Sequence, residues 1–169
     1  LSLALGAVAA LLMSSVVASA IDQQAIAVSG RYHVDHSAFV EWPYDDGDVS
    51  VGAAYEIHDG YGYWQLGADY GIDPSGEAAI DEVWTPYLNL MLKDNFWRGG
   101  VGALANYISS DEDDSDWSDL FYQFILGFSV PLGSLSVDLL AYYPFEAWDK
   151  LDEFEVEDIE GGLLVRYAF

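Results

Sequence analysis

The sequence predicts an all-β protein: a closed antiparallel up-and-down transmembrane β-barrel of about eight strands, preceded by a signal-peptide helix. Three observations predict it. Eight segments alternate with period two between apolar residues and small or polar ones. Their connections alternate between short and long, and aromatic residues gather near the segment ends.

Composition narrows the alternatives. The chain has 169 residues, enough for one domain, and is 52% hydrophobic and 15% aromatic with a formal net charge of −24. A disordered acidic chain is poor in aromatic residues, so this composition argues against disorder. Without cysteine there are no disulfides and no thiolate metal sites.

Residues 1–20, LSLALGAVAALLMSSVVASA, carry no charge and end in the small-x-small pattern Ala18-Ser19-Ala20, followed by polar Asp22-Gln23-Gln24. This is the pattern of a cleavable export signal, although the positively charged start of such a signal is not in the sequence. About 20 apolar residues also suffice for a membrane-spanning helix. The cleavage pattern and the β-rich remainder favour the signal. The expected layout is a signal peptide over 1–20 and a barrel over 21–169, with the mature chain starting at Ile21. Beyond it, charged and glycine-punctuated stretches interrupt every apolar run. If that part lies in a membrane, only a closed barrel satisfies its backbone hydrogen bonds.

The eight segments are expected at 27–40, 48–57, 61–71, 82–92, 96–108, 119–130, 134–145 and 157–169. One parity is apolar in each: Val28, Tyr32, Val34 in the first, for example, and Leu120, Tyr122, Phe124, Leu126, Phe128, Val130 in the sixth. The other parity is small or polar, including Arg31, His33, Asp35, Ser50, Gly52, Glu56, Gln65, Asp69, Asn89, Gly102, Gln123 and Asp138. Alternation by itself fits both a soluble sandwich and a membrane barrel with the apolar side turned to lipid.

The connections separate the two. Ile57 to Tyr61, Leu92 to Phe96 and Pro131 to Gly133 are short, whereas 41–48, 71–82, 108–119 and 145–160 are long and acidic. Trp42, Tyr44, Tyr70, Trp84, Tyr107, Trp117 and Tyr143 stand by the long loops. Tyr61, Phe96, Trp97, Phe128, Tyr167 and Phe169 stand by the short turns. Two aromatic belts are what two membrane interfaces would select.

The chain ends Gly161-Gly162-Leu163-Leu164-Val165-Arg166-Tyr167-Ala168-Phe169, with an aromatic last residue and Leu163, Val165 and Tyr167 at every second position before it. Here it resembles the small eight-stranded outer-membrane β-barrel proteins of Gram-negative bacteria, the OmpX/OmpA-transmembrane-domain-like class. The resemblance implies that Leu163, Val165, Tyr167 and Phe169 form the signal read by the barrel-insertion machinery. Eight is the smallest even strand number in this class. The roughly 149 residues after the leader hold eight strands of about 9–11 residues, but not ten.

An eight-stranded barrel is just filled by its own side chains, which disfavours a diffusion pore. Arg31, Arg98 and Arg166, three of the five basic residues, share the inward parity with Glu56 and Asp138. All are expected near the short-turn end, forming one internal charge network, because a charge removed from water needs a partner. The long connections hold 4, 4, 6 and 8 of the 29 acidic residues. Asp111, Glu112, Asp113, Asp114 and Asp116 form the densest run, a candidate for weak cation binding. The run lacks the glycine and ligand spacing of a calcium loop, so no specific metal is expected. Nucleic acid is excluded as a partner on charge.

Enzymatic chemistry finds little support in the sequence. His36-Ser37 is unsuitable as a base–nucleophile pair, because neighbours in a strand point to opposite faces. The lipid A deacylase barrels are similar in size but use a His-x-Ser spacing; here Ala38 stands two residues beyond His36. His33, His36 and His58 are therefore expected to be structural. No cofactor is expected. The reading is a non-enzymatic, monomeric outer-membrane barrel with acidic extracellular loops and no open pore. Its partners are outer-membrane lipid and lipopolysaccharide, and the insertion machinery during assembly. The alternatives are a transporter or receptor for a small apolar compound, a lipid A-modifying enzyme, and a soluble exported barrel with a lipophilic ligand.

Overall fold

The computed structural model describes residues 23–36, 39, 41–75, 80–110, 115–148, 151 and 154–169. The expected signal peptide over 1–20 lies outside the described residues. So do Asp111, Glu112, Asp113 and Asp114.

The strands are β1 (Gln23–Tyr32), β2 (Val49–Asp59), β3 (Gly62–Ile72), β4 (Ile80–Lys93), β5 (Trp97–Leu104), β6 (Tyr107–Ser110), β7 (Asp116–Trp117), β8 (Phe121–Leu132), β9 (Leu135–Phe145) and β10 (Glu160–Ala168). Their hydrogen-bonded order is β3-β2-β1-β10-β9-β8-β5-β4, and β4 also pairs with β3, so the sheet closes on itself. Every pairing is antiparallel. The result is an eight-stave barrel. β6 continues the β5 stave after a break at Ala105–Asn106, and pairs with the upper part of β4 and with β7. The break loses no backbone partner: Ala105 N–H donates to Pro86 O, and Asn106 N–H to Ser118 Oγ.

The first and last strands are zipped together from Ala25↔Ala168 to Tyr32↔Gly161. The C-terminal residue completes the seam, since Phe169 N–H donates to Gln24 O at 2.9 Å. Closure of this kind removes the sheet edges, which is the condition for strands to sit in hydrocarbon.

The alternation is oriented outward. Leu126 and Leu139 are 59% and 62% exposed, while Gln123 and Asp138 are 1% and 0% exposed. Val28, Val51, Trp64, Leu66, Trp97, Val130 and Leu163 are likewise exposed. A water-soluble barrel would hide this parity, because apolar area left in water costs roughly 25 cal/mol per Å². The chain therefore has the surface of a body solvated by hydrocarbon.

Several boundaries differ from the expected ones. The first strand covers 23–32 rather than 27–40. Gln23 and Gln24 pair with His58 and Ile57, which extends the strand toward the short turns. Beyond Tyr32 the chain leaves the wall: His33 N–H donates to Asp48 O at 2.8 Å, and Trp42 and Tyr44 turn in over the barrel mouth. Asp35, expected in the lumen, is exposed for that reason. Trp42 and Tyr44 are not part of an outer aromatic belt, because Tyr44 is buried and Trp42 packs against the core. Ahead of β10, Val156–Asp158 forms a 3₁₀ turn, so the last strand starts at Glu160 rather than 157.

The inward parity is also less uniformly small and polar than expected. Tyr63, Tyr87, Met91, Ile125, Leu140, Tyr142 and Leu164 fill the lumen beside the polar residues. Room for them comes from glycine. A Cβ at Gly67 would fall on the Tyr87 ring, one at Gly100 on the Met91 sulfur and one at Gly162 on the Tyr142 ring.

Leu126 lies midway along β8, on the outer face. Leu126→Arg is expected to destabilise the barrel in lipid vesicles by ~2–4 kcal/mol, the cost of an arginine near the bilayer midplane. Urea unfolding followed by tryptophan fluorescence measures this. Wild-type stability for that variant would mean that the exposed parity does not face hydrocarbon.

Candidate functional site in the barrel lumen

All eight barrel staves send polar side chains inward to form one connected chain of hydrogen bonds and ion pairs. At the short-turn end Arg166 is the hub. Its Nε donates to Glu56 Oε2, and its Nη2 donates to Glu56 Oε1 at 3.1 Å and to the Tyr63 hydroxyl at 2.9 Å. Arg166 Nη1 lies 2.8 Å from Asp138 Oδ2, close enough for an ion pair. Asp138 nevertheless makes no well-aligned hydrogen bond, and Arg98 Nε stands 3.8 Å from it. His58 Nε2 is 2.8 Å from Glu56 Oε2, and Lys93 Nζ is 3.2 Å from His58 Nδ1.

A ladder of carboxamides leaves this hub. Gln65 donates to Glu56 at 2.8 Å, Asn89 to Gln65 at 2.8 Å, and Gln123 to Asn89 at 2.9 Å. Arg31 Nη1 then donates to Gln123 Oε1 at 3.0 Å. All the donors point the same way, from the Arg31 cation toward the Glu56 anion. In a low-dielectric interior such aligned bonds polarise one another.

The expected charge network is therefore brought together only in part. Glu56, Arg98, Asp138 and Arg166 meet at the short-turn end. Arg31 does not. It lies at the long-loop end of β1, opposite Ser50 and Gly162, because the strand starts at Gln23. Its ion-pair partner is Glu160, whose Oε2 accepts from Arg31 Nε, and its guanidinium sits 4.2 Å over the Tyr142 ring.

Around Glu160 lies a second cluster that sequence reasoning missed. His33 Nδ1 is 3.0 Å from Glu160 Oε1, and His33 Nε2 is 2.8 Å from Ser50 Oγ. A carboxylate only accepts, so in neutral His33 the proton sits on Nδ1, and Ser50 donates its hydroxyl proton to Nε2. His36 Nε2 is 3.3 Å from the same Glu160 oxygen, and its Nδ1 is 3.7 Å from Asp158. Aromatic rings cover the cluster. Tyr44 stacks on His33 with centroids 3.7 Å apart, and Trp42 stands edge-on to His36 at 4.9 Å and to Phe121 at 5.2 Å. Burial pushes the Tyr44 phenol above its ordinary pKa, so it stays neutral, in hydrogen-bond contact with Thr85 Oγ1 at 3.0 Å. The only signal for this cluster in the sequence was the inward parity of His33 and Ser50. Their alignment needs the β1–β2 register, and Glu160 arrives from the other end of the chain.

The remaining expected residues are simply placed. Leu163 and Tyr167 face outward and are exposed, Val165 faces outward and is half-buried, and Phe169 closes the seam. Asp116 in β7 accepts from Trp117 N–H at 2.8 Å. Among the described residues, no group of three or more His, Cys, Asp or Glu side chains is arranged to hold a metal ion.

This arrangement is that of a small, closed eight-stranded antiparallel barrel with an apolar exterior and a packed polar lumen, the fold class of the eight-stranded outer-membrane barrels. Among solved structures the chain is similar in fold to Ail, the attachment invasion locus protein of Yersinia pestis. That match has 13% sequence identity and a TM-score of 0.41, and covers 87% of this chain and 97% of that one. No family model and no curated protein matches the chain.

Glu56 and Asp138 both depend on Arg166 for charge compensation. Arg166→Met is expected to destabilise the barrel by about 3–5 kcal/mol, the cost of leaving buried charge unpaired. Adding Glu56→Gln to that variant should recover part of the loss. Denaturant unfolding in detergent micelles reads both values, and a neutral single substitution would remove Arg166 from its role as hub.

Proposed function

We propose that this chain is an integral outer-membrane barrel of a Gram-negative bacterium, with a structural or interaction role, acidic extracellular loops and no open diffusion pore. The observation that carries this reading is the pairing of an apolar exterior with a lumen spanned by hydrogen bonds from Glu56 to Arg31. A filled lumen gives ions no aqueous path, and an exterior of exposed Leu, Val and aromatic side chains suits lipid.

On this reading residues 1–20 direct export and are cleaved. Leu163, Val165, Tyr167 and Phe169 present an outward apolar edge that the insertion machinery reads. The short turns then face the periplasm and the acidic connections face outward. There the carboxylates meet lipopolysaccharide through divalent cations, with Asp111, Glu112, Asp113, Asp114 and Asp116 as the densest contribution. The barrel acts as a monomer. Transport of a small apolar compound through a gap between strands is less well supported, because the β1–β10 seam is continuously paired.

Two measurements test the proposal together. The membrane fraction should keep the protein through carbonate washing and release it in detergent, and the extracted protein should migrate faster on a gel unheated than boiled. Planar bilayers holding the purified barrel should stay electrically silent. Reproducible single-channel steps from the wild-type protein would defeat the claim of a plugged lumen, and release by carbonate would defeat the membrane assignment.

A further inference from the structure

At the long-loop end, Ser50, His33 and Glu160 stand in a line that the plugged-barrel reading does not use. The Ser50 Oγ to His33 Nε2 distance is 2.8 Å and the His33 Nδ1 to Glu160 Oε1 distance is 3.0 Å, and all three side chains are buried. A hydroxyl on one imidazole nitrogen and a carboxylate on the other is the arrangement that turns serine into a nucleophile. It is recognised by geometry and not by sequence order. Arg31 Nε takes the other Glu160 oxygen, while Oε1 faces His33 Nδ1 at 3.0 Å and, at the longer distance of 3.3 Å, His36 Nε2.

A second observation concerns donors near this cluster, although unpartnered buried atoms also occur elsewhere in the lumen, at Arg98, Asn106, Ser129 and Asp138. Buried polar groups in native interiors normally find partners. Here Arg31 Nη2 and Trp42 Nε1 are buried donors with no hydrogen-bond partner among the described residues. Arg31 lies directly opposite Ser50 across the β1–β2 ladder, and the Trp42 ring centroid is 6.3 Å from that of His33. A developing oxyanion needs an unmet donor within hydrogen-bond reach, and Arg31, on the strand position facing Ser50, is the residue we assign to that part. Around them Phe39, Trp42, Tyr44 and Phe121 provide apolar ring surface.

We propose that Ser50 is a nucleophile activated by His33, with Glu160 as the positioning residue, and that this site takes an ester of an apolar acyl chain. Ser50 Oγ attacks the ester carbonyl carbon as its proton passes to His33 Nε2. The carbonyl oxygen takes up negative charge beside Arg31. The C–O bond to the leaving alkoxide breaks, and His33 gives that alkoxide the proton. Water then loses a proton to His33 and attacks the acyl carbon. The Ser50–acyl bond breaks, the proton returns to Ser50, and a free fatty acid leaves. Ser50 has no exposed surface, so side chains must move for the ester to reach it, and on this proposal that movement falls to the Trp42 and Tyr44 rings that pack against His33.

The test uses the full folded barrel in detergent and an alkyl fluorophosphonate, which bonds an activated serine through phosphorus with loss of fluoride. Peptide mass mapping should place the adduct on Ser50 in wild-type protein and find none on that peptide in Ser50→Ala. His33→Gln should slow labelling by about 10²-fold or more, as loss of a general base does. Trp42→Ala, which removes part of the cover, should speed it. Gel mobility without heating confirms that each sample is folded. The proposal is overturned if folded wild-type and Trp42→Ala proteins both leave Ser50 unmodified. It is equally overturned if heat-unfolded protein labels Ser50 as fast as folded protein, or if folded His33→Gln keeps the wild-type rate.

Discussion

A β-strand places successive side chains on opposite sides, and closing eight strands into a ring makes one of those sides an enclosed space about as wide as the side chains themselves. Everything else in this molecule depends on that confinement. Closure satisfies the backbone, so the outer wall is free to be apolar from Val28 through Leu163. The inner wall has no bulk water to hydrate its charges, so each arginine or carboxylate placed there needs a protein partner. Two ion-paired centres result, Arg166 with Glu56 and Asp138 at one end, and Arg31 with Glu160 at the other.

Between these centres the lumen is bridged by Gln65, Asn89 and Gln123, neutral groups that both donate and accept. Charges in the middle would have carried a larger desolvation cost, and apolar side chains alone would have left the two centres without a connection. Asn89 and Gln123 fit because Gly102 stands between them on the intervening strand. Specific polar pairs of this kind also fix strand register, since a slip of one residue would turn every inward group to the outside.

The long-loop end is built differently. Backbone bonds join His33 to Gly47 and Asp48, and the rings of Phe39, Trp42 and Tyr44 pack together at the mouth. His33 is therefore shared between two structures, the aromatic cover through Tyr44 and the polar lumen through Glu160 and Ser50.

The amino-acid sequence by itself determined the barrel class, the outward parity and the alternation of short turns with long loops. These follow from local periodicity and turn chemistry, which each segment carries within itself. It also indicated that Glu56, Arg98, Asp138 and Arg166 face inward together, because parity and distance from the turns are countable along each strand. It misplaced Arg31, since an apparent alternation through Val34 suggested that the first strand continued where the chain in fact folds over the mouth. Only the tertiary structure decided that Arg31 pairs with Glu160, and that Ser50, His33 and Glu160 come into line. Those contacts join residues 127 and 129 positions apart. They exist only once ring closure has set the register of β10 against β1, and no local pattern encodes that register.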